Sequence, residues 1–225
     1  MDDKVCAIHQ PNFFPWLGYY DKIRHCDKFV VLDDAQWPRA GAGGWMNRVA
    51  INIQGKKNWI TAPVERMPGT WKINETRFCD SPWREKIKKT LKASYGKAPN
   101  FRKYRDVVFG LIDYPSNDLT SYNINGILGV AELLGLEVGS KMKLASSLNI
   151  SSTSTERLID ITRAVGCGAY MSGGGADGYQ EPEMFKAAGV KLVYQNFIHP
   201  VYPQYGGREF IQGLSIVDYI FNREE

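Results

Sequence analysis

Four short stretches carry the side chains of this chain that can do chemistry. The first is IHQPNFFPWLG (residues 8–18), where His9 and Gln10 precede Pro11, Phe13, Phe14, Pro15 and Trp16. Two prolines stiffen such a loop, and His9 has the ordinary pKa nearest neutrality, so it can hold phosphate or pass a proton. The competing reading is a buried histidine bonded to backbone. The second stretch is Asp33-Asp34-Ala35-Gln36, directly after the apolar run KFVVL. Two acids at the carboxyl end of a strand can hold Mg²⁺, a ribose or an ammonium, or simply form an acidic turn. The third is Trp45-Met46-Asn47-Arg48, after AGAGG. The forked guanidinium of Arg48 suits phosphate or carboxylate, and glycines ahead of it suit a closing loop; an exposed arginine at a strand end fits equally. The fourth is SGGGADGY, containing Ser172, Gly173, Gly174 and Tyr179. Its backbone N–H groups can close on an anion near a helix N-terminus, although no Gly-Lys-Ser/Thr follows as in a Walker loop; the plain alternative is a glycine turn.

Other chemistries find little footing. Cys6, Cys26, Cys79 and Cys167 are widely spaced and there are three histidines, so zinc-type spacing and a disulfide framework are both absent from the pattern. No Ser-His-Asp or Cys-His arrangement is legible, and Cys6 reads as core. The segment 151–157, SSTSTER, has the small hydroxyls that meet ATP in some nucleotidyltransferases, but Thr153 and Glu156 are also spaced as a capping box. The net charge of +4 suits an anionic ligand and is too small to argue for duplex nucleic acid. The tryptophans and the lysine-rich WREKIKKTL suggest single-stranded nucleic acid, yet Trp83 falls on that helix's apolar face. No start resembling a signal peptide and no membrane-length apolar run is present, so the expectation is a reduced, cytoplasmic protein.

The elements that must position these residues follow from the apolar periodicity. Short runs over 5–8 and 28–32 read as buried strands, with a short helix between them within 16–26. NRVAINI, then QGKKN, then WITAPV is a hairpin signal with Gly55 in its turn, and KINETRF predicts a third antiparallel strand. Ser81-Pro82 opens a helix with proline at the first helical position, whose face is Trp83, Ile87, Leu91 and Tyr95. Phe101, Tyr104, Val108, Leu111 and Ile112 mark a second helix, and 125–134 belongs to a third. A strand over 141–145 and a helix over 153–164 follow, and the order strand 169–171, glycine loop, helix 181–188, strand 191–195 suggests a parallel βαβ unit near the C-terminus.

Together these motifs resemble the WbqC-like family of bacterial polysaccharide-cluster proteins. The matching segments are HQPNFFPWLGYYDKI, DKFVVLDDAQ, NR before WITAPV, WREKIKKTL with YGKAP, YMSGGGADGY, FIHPVYPQY and LSIVDYIFN, spread over almost the whole chain. The alanine- and glycine-rich lead-in to Asn47-Arg48 departs from the more polar stretch expected of the family. The resemblance implies a transferase that attaches an amino-acid-type acyl group, such as glycine, to the amine of a nucleotide-linked amino sugar in O-antigen or surface-polysaccharide synthesis. A non-catalytic nucleotide-sugar-binding partner in the same pathway is the alternative. An activated acid is needed, so ATP and Mg²⁺, or an aminoacyl-tRNA, are implied. The early β-loop-α-β unit and SSTSTER are similar in placement to motifs of adenylate-forming nucleotidyltransferase-like folds.

The expectation is therefore one α/β domain over 1–225, possessing a mainly parallel central sheet with flanking helices, nucleotidyltransferase-like and Rossmann in style. An antiparallel insertion spans 45–78 and a helical segment 79–140. Catalysis is assigned to His9, Asp33 and Asp34, and substrate binding to Gln10, Trp16, Gln36, Asn47, Arg48, Ser172, Gly173, Gly174 and Tyr179. The partners expected are a nucleotide-linked amino sugar and an activated amino acid.

Overall fold

VCAIH and KFVV are apolar almost throughout, as strands covered on both faces must be. A computed structural model describes residues 3–38, 44–173 and 181–224. Its elements run β1 (Val5–His9), α1 (Leu17–Arg24), β2 (Lys28–Val31), β3 (Arg48–Ile53), β4 (Lys56–Thr61), α2 (Trp83–Tyr95), α3 (Phe101–Ile112), α4 (Leu119–Leu133), β5 (Met142–Leu144), α5 (Ser154–Ala164), β6 (Ala169–Ser172), α6 (Pro182–Ala187), β7 (Lys191–Tyr194) and α7 (Ile216–Asn222). The chain divides into two compact units. The first comprises Met1–Gln10, Gly18–Ala35 and Gly135–Ile198; the second comprises Pro11–Leu17, Gln36–Leu134 and His199–Glu225.

The first unit is built on a five-stranded, wholly parallel sheet of order β5-β2-β1-β6-β7. Counted within this sheet alone, that order is 3-2-1-4-5, the order of the doubly wound dinucleotide-binding sheet. Helix α5 packs on β6 and α6 on β7. Cys6, Ile8, Val30, Ile159, Ile161, Tyr170, Phe185 and Val190 form the buried core, each large side chain contributing about 1.5–3 kcal/mol by leaving water. The α/β class with a parallel central sheet and flanking helices is what the strand patterns predict. The chain leaves this sheet after β2 and returns only at β5, having built most of the second unit in between.

In the second unit, β3 and β4 form a two-stranded antiparallel sheet with Ile53 opposite Lys56. The turn residues Gln54 and Gly55 have φ of 52° and 76°, the left-handed pair that a two-residue hairpin requires. KINETRF adds no third strand. Ile73–Glu75 is a single 3₁₀ turn, fixed because Lys72 N–H donates to Glu75 Oε2 at 2.7 Å, and its flanks make only isolated bridges (Gln36 with Lys72, Val64 with Phe78). Pro82 stands at the N-cap of α2 and not inside it. Helix α4 starts at Leu119, well before 125, because Asp118 Oδ1 accepts from Ser121 N–H at 2.7 Å and caps it.

The prolines and rings of the opening loop belong to this second unit. Phe13 stacks on Tyr122 at 6.0 Å and meets Phe78 and Trp83 edge-on. Asn123 Nδ2 donates to the carbonyls of Pro11 (2.8 Å) and Met46 (2.7 Å), Ser215 Oγ donates to Phe14 O (2.9 Å), and Ile216 N–H donates to Pro15 O (3.0 Å). The backbone of this loop is tied into the second unit by these bonds, and the rings of Phe13 and Phe14 are buried in its core.

Candidate active site at the carboxyl edge of the parallel sheet

In an open parallel sheet the crevice forms where connections leave in opposite directions from neighbouring strands. Here that point lies between β1, which continues to β2, and β6, which continues to β7 on the other side. His9 ends β1 and Ser172 ends β6, with Ala7 opposite Met171. Two of the expected site residues therefore flank the switch point, with Gln10 and Gly173 just beyond them.

His9 is half-buried, its ring edge-on to Tyr19 at 4.7 Å. Its Nδ1 lies 3.2 Å from Gln10 O, which also accepts from the Tyr19 hydroxyl at 3.0 Å. A carbonyl can only accept, so Nδ1 carries the hydrogen and Nε2 of the neutral ring presents a lone pair. Burial, with the Lys22 ammonium second, lowers its pKa to about 4. At neutral pH His9 is an uncharged proton acceptor and supplies no positive charge to an anion.

The charge comes from Lys22, which the sequence reading does not single out. It lies on α1, is 5 % exposed, and makes no hydrogen bond or ion pair among the described residues. Burial lowers its pKa to about 8. A Cβ built on Gly173 would stand 3.1 Å from Lys22 Nζ, which places the ammonium against the backbone that leaves β6. Gln195, just after β7, donates through Nε2 to Gly18 O (2.6 Å) and Asp21 Oδ2 (2.9 Å), holding α1 to this edge. The available signal was positional: Lys22 follows Tyr19 by three residues, on the face that α1 buries.

Asp33 and Asp34 follow β2 and are engaged locally. Asp33 Oδ1 accepts from Ser146 N–H (3.0 Å) and Oδ2 from Ser146 Oγ (2.6 Å), tying the end of β2 to the turn after β5. Asp34 Oδ2 meets Arg157 Nη2 of α5 at 2.5 Å, leaving Asp34 Oδ1 and Arg157 Nε buried without partners. One unpartnered carboxylate oxygen does not define a divalent-cation site, and no cluster of three His, Cys, Asp or Glu stands among the described residues. The capping box read at Thr153 and Glu156 does not form. Thr153 is an N-cap without a side-chain bond, Ser152 Oγ donates to Asp160 Oδ2 at 2.6 Å, and Arg157 is drawn to Asp34.

The other expected residues belong to the second unit. Asn47 Nδ2 donates to Ala62 O at 2.9 Å, Arg48 lies over the Trp59 ring at 4.8 Å, Gln36 bridges Lys72, and Trp16 stacks on His199 at 6.2 Å. Gly174, Tyr179 and the AGAGG lead-in up to residue 43 lie outside the described residues. That unit also buries Asp218, whose carboxylate accepts from Tyr95, Tyr202 and Gln204 and cross-links α2 and α7.

The model of the WbqC-like protein family matches residues 10–225. The chain belongs to that family. Another relative is the uncharacterized protein Rv1507c of Mycobacterium tuberculosis (strain ATCC 25618 / H37Rv), 28 % identical over 228 residues and aligned over 97 % of this chain and 94 % of its own length. No solved structure matches. In this WbqC-like protein no helix among the described residues is long and apolar enough to cross a membrane. The match begins one residue after His9 and spans Lys22, Ser172 and Gly173.

Proposed function

We propose that this WbqC-like protein is a transferase joining an amino-acid-type acyl group, such as glycine, to the amine of a nucleotide-linked amino sugar for surface-polysaccharide assembly. The observation that carries the proposal is the placing of His9, whose Nε2 is left as the accepting nitrogen, and of Lys22 at the switch point of a parallel sheet, where phosphate-bearing ligands are commonly bound. In amide formation the sugar amine attacks the acyl carbon, a C–N bond forms, and the C–O bond to the activating group breaks. The amine gives up one proton and the leaving oxygen departs with the bond's electrons. His9 Nε2 is the group that takes the proton, and its Nδ1–H bond to Gln10 O keeps the ring in the accepting tautomer. Bound ATP would supply the activated acid as an adenylate or acyl phosphate; an aminoacyl-tRNA is the other source. Asp33 is a positioning residue in this scheme, because both its oxygens are committed to Ser146.

The test is incubation with ATP, Mg²⁺, glycine and a uridine-diphosphate-linked amino sugar, with a parallel arm supplying glycyl-tRNA, read by product mass and by AMP or ADP release. An amide product, reduced about 10²-fold or more in His9→Ala, is expected. Absence of product in both arms overturns the transferase. Sugar-nucleotide binding without turnover favours the non-catalytic partner.

A further inference from the structure

We infer that Lys22 is the anion-holding residue of the first unit, taking the phosphate of a nucleoside-diphosphate-bearing ligand between its ammonium and the backbone at Gly173. The inference rests on the proposed function only in the choice of ligand, and its geometry stands without it. A largely buried lysine whose ammonium lacks a protein partner is costly, and proteins retain one where a ligand supplies the missing charge. Lys22 is 5 % exposed and its ammonium has no carboxylate or carbonyl partner among the described residues. The nearest acid in sequence, Asp21, is occupied by Gln195 Nε2 and by His25 Nδ1 at 3.1 Å. Gly173 has no side chain to obstruct the approach, since even a methyl there would come within 3.1 Å of Nζ. The site also lies beyond the carboxyl ends of β1 and β6, the edge at which parallel sheets receive phosphates. His9 does not supply the positive charge, because its free nitrogen is an acceptor.

An anion here acts on His9 as well. Among the described residues Cys26, after α1, acts on Lys22, and the Lys22 charge is one of the two causes that hold the His9 imidazole down. Ala7 pairs with Met171, so His9 and Gly173 each lie two residues further along their strands, and phosphate neutralising the ammonium beside Gly173 should raise the basicity of His9. The ligand would thereby switch on the proton acceptor it needs.

Calorimetric titration with inorganic pyrophosphate and with uridine diphosphate tests the site in the full chain. Wild-type protein should bind both, with affinity falling as pH rises through about 8 and Lys22 loses its proton. Lys22→Met, a straight side chain of similar length, should weaken both at least tenfold while circular dichroism stays unchanged. Equal binding by a folded Lys22→Met, or no binding by the wild type, overturns the inference. Should Lys22→Met instead unfold, protection of Lys22 by pyrophosphate against amine acylation in the wild type decides, and equal labelling with and without it overturns the site. Lys22-dependent binding of glycine or acetate, but not pyrophosphate, would make this a carboxylate site and refute the phosphate assignment. Pyrophosphate binding without any amide product would sink the transferase and leave the anion site standing.

Discussion

Lys22 Nζ stands 3.1 Å from the position a Cβ would take on Gly173, so the ammonium rests close to the backbone that leaves β6. Gly173→Ala tests that approach. The far end of a lysine can move by a few tenths of an ångström, so stability should change by no more than about 1 kcal/mol in urea denaturation. Pyrophosphate affinity should nevertheless fall severalfold, because the methyl fills the space the anion needs. Unchanged affinity would show that the anion does not lie between these two residues.

Lys22 should also be a liability to the empty fold. Its pKa falls from 10.5 to about 8, so the folded state disfavours the charged form. The unfolded chain binds more protons between those values, so this group's contribution is fully present above 10.5 and is lost as pH falls through about 8. Below pH 8 the cost approaches about 3 kcal/mol. Lys22→Met should therefore raise stability by about 1–3 kcal/mol at pH 7, with the gain shrinking between pH 8 and 10. A destabilised Lys22→Met would indicate that the ammonium is satisfied.

His9 gives a second pH signature. Its folded pKa of about 4 lies below the ordinary 6.5, so its stabilising contribution is present above pH 6.5 and is lost as pH falls towards 4. His9→Gln should remove up to about 3 kcal/mol of the stability difference between pH 7 and pH 4. Parallel pH-stability curves for the two proteins would contradict a histidine held neutral in the folded state.

Ser146→Ala separates a positioning Asp33 from a catalytic one. The substitution removes a 2.6 Å bond to a carboxylate that is 2 % exposed and should cost about 1.5–3 kcal/mol by chemical denaturation. Loss of more than about tenfold in transfer rate at saturating substrate, without loss of stability, would instead place Asp33 at the reacting atoms.

Asn123→Ala probes the opening loop. One side-chain amide carries the carbonyls of Pro11 and Met46, so its removal leaves two buried acceptors unmet and should cost about 2–4 kcal/mol. A Tm within a degree of wild type would mean that the loop is held by its rings alone.

Much of this architecture is written locally. VCAIH, KFVV and AYMS are runs of the doubly covered kind, and such strands separated by helical stretches imply a parallel sheet. Gln54-Gly55 between two alternating runs fixed the hairpin for the same local reason. Long-range pairings were not legible. Nothing in Asp33-Asp34 announces that Ser146 and Arg157, more than a hundred residues away, will occupy both carboxylates. The place of Phe13 was not legible either, because sequence cannot tell an aromatic that lines a site from one that meets Tyr122 and Trp83 in a core. Lys22 is not legible as a site residue, since a lysine in a short helix usually snorkels to solvent; the packing leaves this one 5 % exposed.

The central claim is that Lys22 and His9 form one ligand-responsive site, and the chain's three histidines make it directly observable. The measurement is an NMR pH titration of the imidazole Cε1–H signals, assigned with His25→Gln and His199→Gln, with and without a uridine-diphosphate-linked amino sugar. The account predicts that His9 titrates near pH 4 in the free protein and moves upward towards 6.5 when the ligand is bound. A His9 signal that titrates near 6.5 in the free protein, or that does not move with saturating ligand, would contradict it.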